Sequence, residues 1–281
     1  MNEEKNVIPI LEFFDDEGLM GKHNIFASHG DEIVTKVNYL TTNNINTALL
    51  IFSRDMSMLI EKLDPNDIRE FHDFKNGSNI NKIYVYKEKF LVATTPLGGP
   101  ASGGLLENLG FLGITNFFVC GDAGQLDTDF DPSEFVLVKK AIRDEGTSYH
   151  YLPPAEYVET SKKLNSFIYG YLKRHGYKFQ PAITWTTDAF YRETPKSIDR
   201  RIEQGAVCVE MECASLSAIA KFRGYELAQL LYFSDVVKKD AWSTFHPLRD
   251  ELRLMVQKIM LDLVEEYLYA RDNDEIEEIE M

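Results

Sequence analysis

The sequence predicts an α/β fold: a single domain built on a mixed, mostly parallel twisted sheet covered by helices on both faces. Three observations predict it. Strand signals alternate with helix signals from Thr47 to Tyr269. Several strand segments are apolar at nearly every position, as strands buried on both faces are. The polar, chemistry-bearing residues fall just after strands, at the edge where such sheets hold ligands.

The elements follow in order. Residues 1–45 read as an irregular N-terminal extension, with helical turns around Leu11 to Phe14 and from Asp31 to Leu40. Thr47 to Phe52 is an apolar strand that ends at Ser53-Arg54-Asp55. Lys82 to Lys87 alternates, Lys89 to Thr94 follows closely, and the two are expected to pair. Leu105, Leu106, Leu109 and Leu112 give Gly98 to Leu112 a helical apolar set. Asn116 to Cys120 is a buried strand running into Gly121-Asp122-Ala123-Gly124, and Glu134 to Ile142 is another. Pro154 to His175 reads as an amphipathic helix stopped by Gly176. Ala182 to Thr186 and Ala206 to Glu210 are strands, the second feeding a helix from Cys213 to Phe222 that ends at Arg223-Gly224. Leu227 to Phe233 is a strand, and His246 to Tyr269 a closing helix. The domain is therefore placed at 46–270, with 271–281 as an acidic tail expected to be solvated and disordered.

Composition narrows the function. A chain of 281 residues, 44% of them hydrophobic, can bury a large core. The net charge of -15 disfavours a nucleic-acid partner, which calls for a basic face. No stretch approaches the roughly 20 apolar residues of a membrane span, and no signal peptide is visible. Cys120, Cys208 and Cys213 sit in apolar segments and read as reduced core residues of a cytoplasmic protein. The six histidines lack metal-ligand spacing, so no metal or other cofactor is expected.

The chemistry centres on Val209-Glu210-Met211-Glu212 and Ser234-Asp235. A carboxylate only accepts hydrogen bonds, which suits a pair of donor hydroxyls such as a vicinal diol. Glutamates at a strand-to-helix junction also favour the helix N-terminus. Asp235 could cap a turn with Ser234, or act as a general acid if burial raises its pKa. Phe190-Tyr191 could be core, or could stack on a planar base. Thr94 to Pro100 is a tight turn in which Gly98 and Gly99 let the backbone approach a ligand.

From about Thr47 to Tyr269 the chain resembles the nucleoside phosphorylase and nucleosidase superfamily. Phe190-Tyr191, Val209-Glu210-Met211-Glu212 and Ser234-Asp235 occur in that superfamily's order, and Gly121-Asp122-Ala123-Gly124 looks like its glycine turn. The resemblance implies that Glu212 holds the ribose hydroxyls, with Met211 under the sugar and Glu210 in support. It implies that Phe190 stacks on the base, that Leu97 and Gly98 lie against the sugar, and that Asp235, oriented by Ser234, protonates a leaving purine. Arg54, Gly121, Asp122 and Arg192 would surround phosphate or water, with phosphate as co-substrate. A homo-oligomer, dimer to hexamer, is implied as well.

The nucleophile site departs from the family pattern. The superfamily's phosphorylases usually have an arginine before the glycine turn and a serine or threonine after its first glycine; here these places hold Val119 and Asp122. A carboxylate about 4 Å from a phosphate charge costs about 4 kcal/mol at an effective dielectric of about 20. Ser53-Arg54-Asp55 replaces the usual Gly-Asp-Pro loop, with Arg192 or Arg143 as candidates to restore positive charge and His150 as a group that could reach across a subunit boundary. Phosphorolysis, hydrolysis at the same site, and nucleoside binding without catalysis all stand as readings at this point.

Overall fold

The computed structural model describes residues 22–52, 56–76, 79–126, 129–238, 242–243 and 249–276. Its strands are β1 (Thr47–Ile51), β2 (Ile68–Asn76), β3 (Asn79–Tyr86), β4 (Phe90–Thr94), β5 (Asn116–Leu126), β6 (Phe135–Asp144), β7 (Tyr157–Glu159), β8 (Phe179–Thr187), β9 (Ala206–Glu210), β10 (Glu226–Val237) and β11 (Trp242–Ser243). The helices are α1 (Lys22–Thr42), α2 (Ser57–Ile60), α3 (Gly99–Phe111), α4 (Lys162–Arg174), α5 (Pro195–Glu203), α6 (Cys213–Arg223) and α7 (Arg249–Asp272). All the strands join one sheet in the order β11-β10-β6-β8-β9-β5-β1-β4-β3-β2, with β7 on β6. The long inner pairings, β5 with β10 and β6 with β8, are parallel. Because β10 also pairs with β5, the strands β5-β10-β6-β8-β9 close into a ring.

Both faces are covered, and the alternation of side chains along each strand supplies the two cores. Leu49, Ile51, Val92, Phe118 and Cys120 pack with Ile168 and Leu172 of α4 and with Val256, Met260 and Tyr267 of α7. Ala48, Leu50, Leu91, Phe117 and Val119 point the other way, to Leu105 and Leu109 of α3, Leu216 and Ile219 of α6, and Leu40 of α1. Each fully buried side chain of this size is worth about 1.5–3 kcal/mol of transfer free energy. The three cysteines are buried and unpaired.

Several sequence expectations change. The segment before residue 46 is not irregular throughout: Lys22–Thr42 is one helix, and Ile33, Val37 and Leu40 set it against the sheet at helical spacing. Leu11 to Phe14 and Arg54 lie outside the described residues. The helix expected from Pro154 starts only at Lys162, where Ser161 Oγ accepts the Leu164 N–H at 3.1 Å; the stretch before it forms β7 against β6. Gly121 to Gly124 is not a turn but part of β5, paired with β10 on one side and, at Gly124, with β9 on the other. Ser234-Asp235 likewise lies within β10 rather than beyond it. At the other end of the chain, α7 runs to Asp272 and Ile276 packs on the core, so the acidic tail begins in ordered structure. Strand β2 and helix α5 had no counterpart in the sequence reading.

Candidate active site

The ends of β5, β9 and β10 and the turns after β4 and β8 enclose an open cavity of ≈ 170 Å³. Of the residues singled out from sequence, Leu97, Asp122, Phe190, Glu210, Met211, Glu212, Ser234 and Asp235 all line it.

Glu210 ends β9, and both of its oxygens are occupied by the protein. Oε2 accepts the backbone N–H groups of Glu212 (2.8 Å) and Cys213 (2.7 Å), the first donors of α6. Oε1 accepts the hydroxyls of Thr186 (2.5 Å) and Thr184 (3.4 Å) from β8. Burial pushes this carboxyl upward against the pull of those four donors. Glu210 therefore fixes where the next turn goes.

That turn presents Met211 and Glu212. Glu212 is buried, and its Oε1 accepts the Gly98 N–H at 2.6 Å. Gly98 has φ +89°, a conformation that side chains rarely adopt, and it caps α3. Gly99 beside it touches α6 so closely that a Cβ would meet Ser215 Oγ at 2.2 Å. The two glycines thus serve backbone approach within the protein, joining the β4–α3 turn to the β9–α6 junction. Burial first, then the Glu210 charge, raises the Glu212 carboxyl to about 8.

On β10, Ser234 Oγ donates to Asp235 Oδ1 at 2.7 Å. The register of β10 on β5 shifts between Phe233 and Asp235, so a bulge at Ser234 turns both side chains toward the cavity. Gly124 of β5 leaves room for this, since a Cβ there would stand 3.3 Å from Asp235 Oδ2. Phe190 opens a 3-10 turn, 47% exposed, with the Tyr191 ring 4.2 Å from its own; Leu97 is 65% and Tyr191 88% exposed.

Other candidates are not brought to this cavity. Arg192 is exposed, forms no ion pair with Asp188 or Glu193, and does not line the cavity. Asp188 instead accepts the Gly146 N–H at 2.8 Å. Arg143 is buried and spent on Ser148 Oγ and the carbonyls of Leu152 and Pro153. His150 is exposed and outside the lining. Gly121 is buried behind the wall, where a Cβ would meet Phe52 at 3.0 Å.

Ala123, Gly124 and Val209 of the motifs read from sequence also line the cavity, and Phe52 and Glu193, which sequence reasoning missed, complete the lining. For Glu193, its place in the polar loop that carries Phe190 is the signal that could have found it. It is half-buried, and burial together with the Asp235 charge raises it to about 7. Five carboxyl groups line the cavity, and no lysine, arginine or histidine does so among the described residues. Among those residues there is also no cluster of three or more groups able to hold a metal, and no helix long and apolar enough to cross a membrane.

This fold, with five carboxyls lining one cleft at strand ends, defines a class that the comparisons with known proteins identify. A family model described as the phosphorylase superfamily matches residues 50–265. The chain belongs to that superfamily. It is similar to a guanosine phosphorylase of Halorubrum lacusprofundi, 27% identical over 47% of this chain and 55% of that protein. It is similar to a uridine phosphorylase of Haemophilus influenzae, 24% identical over 38% of this chain and 43% of the relative. A purine nucleoside phosphorylase of DeoD type from Alkaliphilus metalliredigens is 27% identical over 71% of this chain and 83% of its own length. The chain spans about half the length of the first two of these relatives.

Proposed function

We propose that the protein is a nucleoside phosphorylase that cleaves the N-glycosidic bond of a purine nucleoside with phosphate, giving the free base and ribose 1-phosphate. The observation that carries this reading is that Met211, Glu212, Phe190 and Asp235 all line one cavity. Cleavage builds positive charge on the sugar and negative charge on the departing base. A carboxylate at the sugar and a proton at the base both favour that separation. Glu212 grips the ribose hydroxyls over Met211, Glu210 holds the turn, Phe190 stacks on the base, and Asp235 protonates it. The relatives named guanosine and purine nucleoside phosphorylase support this reading, and the acid at Asp235 favours a purine over the uridine in the name of the Haemophilus influenzae relative.

Phosphate needs a cation, and Arg54, two residues past the cavity-lining Phe52, is assigned to it. Purified protein incubated with guanosine, inosine, adenosine or uridine, with and without phosphate, tests the reading. Ribose 1-phosphate formed only with phosphate, from the purines, is the expected result, and Arg54→Ala should raise KM for phosphate far more than KM for nucleoside. One observation favours a second reading, hydrolysis by water at the same site: the cavity has five carboxyls and no basic group among its described lining residues. Free ribose at equal rates with and without phosphate would establish hydrolysis instead. The exposed Leu97, Phe190 and Tyr191 at the mouth support a homo-oligomer, checked by sedimentation.

A further inference from the structure

The segment after β6, Glu145-Gly146-Thr147-Ser148, does not line the cavity, yet it is bonded to parts that do. Glu145 is only 6% exposed. Its Oε2 accepts the Ser148 N–H at 2.9 Å, within a short 3-10 turn, and the Ser215 hydroxyl of α6 at 2.5 Å. Its Oε1 is buried and has no hydrogen-bond partner among the described residues. Arg143, two residues earlier, is spent on Ser148 Oγ and two carbonyls. A buried carboxyl with one oxygen unmatched costs stability, so its presence calls for a reason beyond packing. The Gly146 N–H donates to Asp188 Oδ2 at 2.8 Å, which ties the same segment to the loop that carries Phe190.

Ser215 is the point where this segment meets the sugar end of the site. It stands in the first turn of α6, three residues after Glu212. Its Oγ lies 2.2 Å from where a Cβ of Gly99 would be, and Thr147 Oγ1 lies 3.2 Å from the same point. Gly98, next to Gly99, gives its N–H to Glu212 Oε1 at 2.6 Å. Two supports of Glu212 therefore rest on Ser215: the helix turn that carries its backbone, and the glycine turn that holds its carboxylate. Glu210 holds only the first of these. Resting on the nucleoside-cleavage reading, we propose that Glu145 is a positioning residue that, through Ser215, sets the Glu212 carboxylate against the sugar hydroxyls. One acceptor oxygen takes donors from two segments far apart in the chain, and so fixes α6 against the turn before α3.

The test compares kcat/KM for the purine ribonucleoside cleaved fastest with that for its 2′,3′-dideoxy counterpart, which lacks both hydroxyls. Wild type, Glu145→Ala, Glu145→Gln and Ser215→Ala are measured with phosphate present. Wild type should prefer the ribonucleoside by about a hundredfold, the worth of two hydrogen bonds to a carboxylate. Glu145→Ala and Ser215→Ala should lower kcat/KM for the ribonucleoside about tenfold and that for the dideoxynucleoside by less than about threefold, so the preference shrinks. Glu145→Gln keeps an acceptor oxygen for both donors and should hold the preference within about threefold of wild type. A merely structural role lowers both substrates alike, because a smaller folded fraction scales both rates. Should Glu145→Ala fail to fold, Ser215→Ala decides, since it keeps the Ser148 contact. Equal losses on the two nucleosides, a preference unchanged in Ser215→Ala, or a wild type indifferent to the hydroxyls overturns the positioning role while leaving nucleoside cleavage intact. No cleavage of any nucleoside by wild type removes the underlying reading and this role together.

Discussion

Replacing Glu210 by alanine removes the acceptor for two buried backbone donors at the start of α6, the N–H groups of Glu212 and Cys213, held at 2.8 and 2.7 Å. Thr186 can turn its hydroxyl elsewhere, but the two amides are fixed by the helix. Each buried donor left unpaired costs about 1–3 kcal/mol, so the variant should lose about 2–6 kcal/mol. Glu210→Gln keeps one acceptor oxygen for that pair and relieves the buried charge, and should lose about 1–2 kcal/mol. Urea unfolding followed by circular dichroism measures both. With m near about 3 kcal/mol/M, the alanine midpoint should fall by about 0.7–2 M and m should hold steady. The same change lets the Glu212 turn drift, so KM for nucleoside should rise in the alanine variant more than in the glutamine one. An alanine variant within about 0.5 kcal/mol of wild type would refute the assignment of Glu210 as the anchor of this junction.

Glu212, with its folded pKa raised to about 8 against an unfolded value near about 4.3, binds more protons folded than unfolded between those limits. Stability should therefore decline as pH rises from about 4.3 to about 8, and Glu212→Gln should flatten the slope; equal slopes in urea titrations at several pH values would sink that assignment. Gly99→Ala puts a Cβ 2.2 Å from Ser215 Oγ and 3.0 Å from its Cβ, so it should cost about 1–3 kcal/mol, partly recovered in the double variant with Ser215→Ala. Full additivity of the two substitutions in thermal melts would show that the clash is not between them. Asp235→Asn should lower kcat by about 10²–10⁴-fold with the fold intact, and Ser234→Ala by much less; steady-state kinetics on a purine nucleoside would show otherwise if Asp235 carried no proton to the base.

The apolar runs of β1, β4 and β9, the helical periods of α3 and α6, and the strand-end position of Glu210 and Glu212 were all legible in the sequence. They are consequences of local pattern: a strand buried on both faces must be apolar throughout, and a helix between sheet and solvent must repeat its apolar residues. Gly224, at φ +71°, ends α6 as its place after Arg223 indicated. What escaped depended on partners distant in the chain. Gly121 to Gly124 reads as a turn because glycine usually marks one, yet neighbours on both sides hold Gly124 as strand. Residues 154–161 fit a helical pattern, but pairing with β6 and the cap at Ser161 outweighed it.

By itself the sequence determined the layers of this protein and the chemical types available at its strand ends, because patterning and residue identity are local properties. The tertiary structure alone decided which acids share a cavity. A bulge at Ser234 aims Asp235, the ring of β5, β10, β6, β8 and β9 brings it into one cavity with Glu212, and the loop after β8 adds Glu193 to the same lining. Proton affinity follows from those placements, since burial and neighbouring charge act through space rather than along the chain.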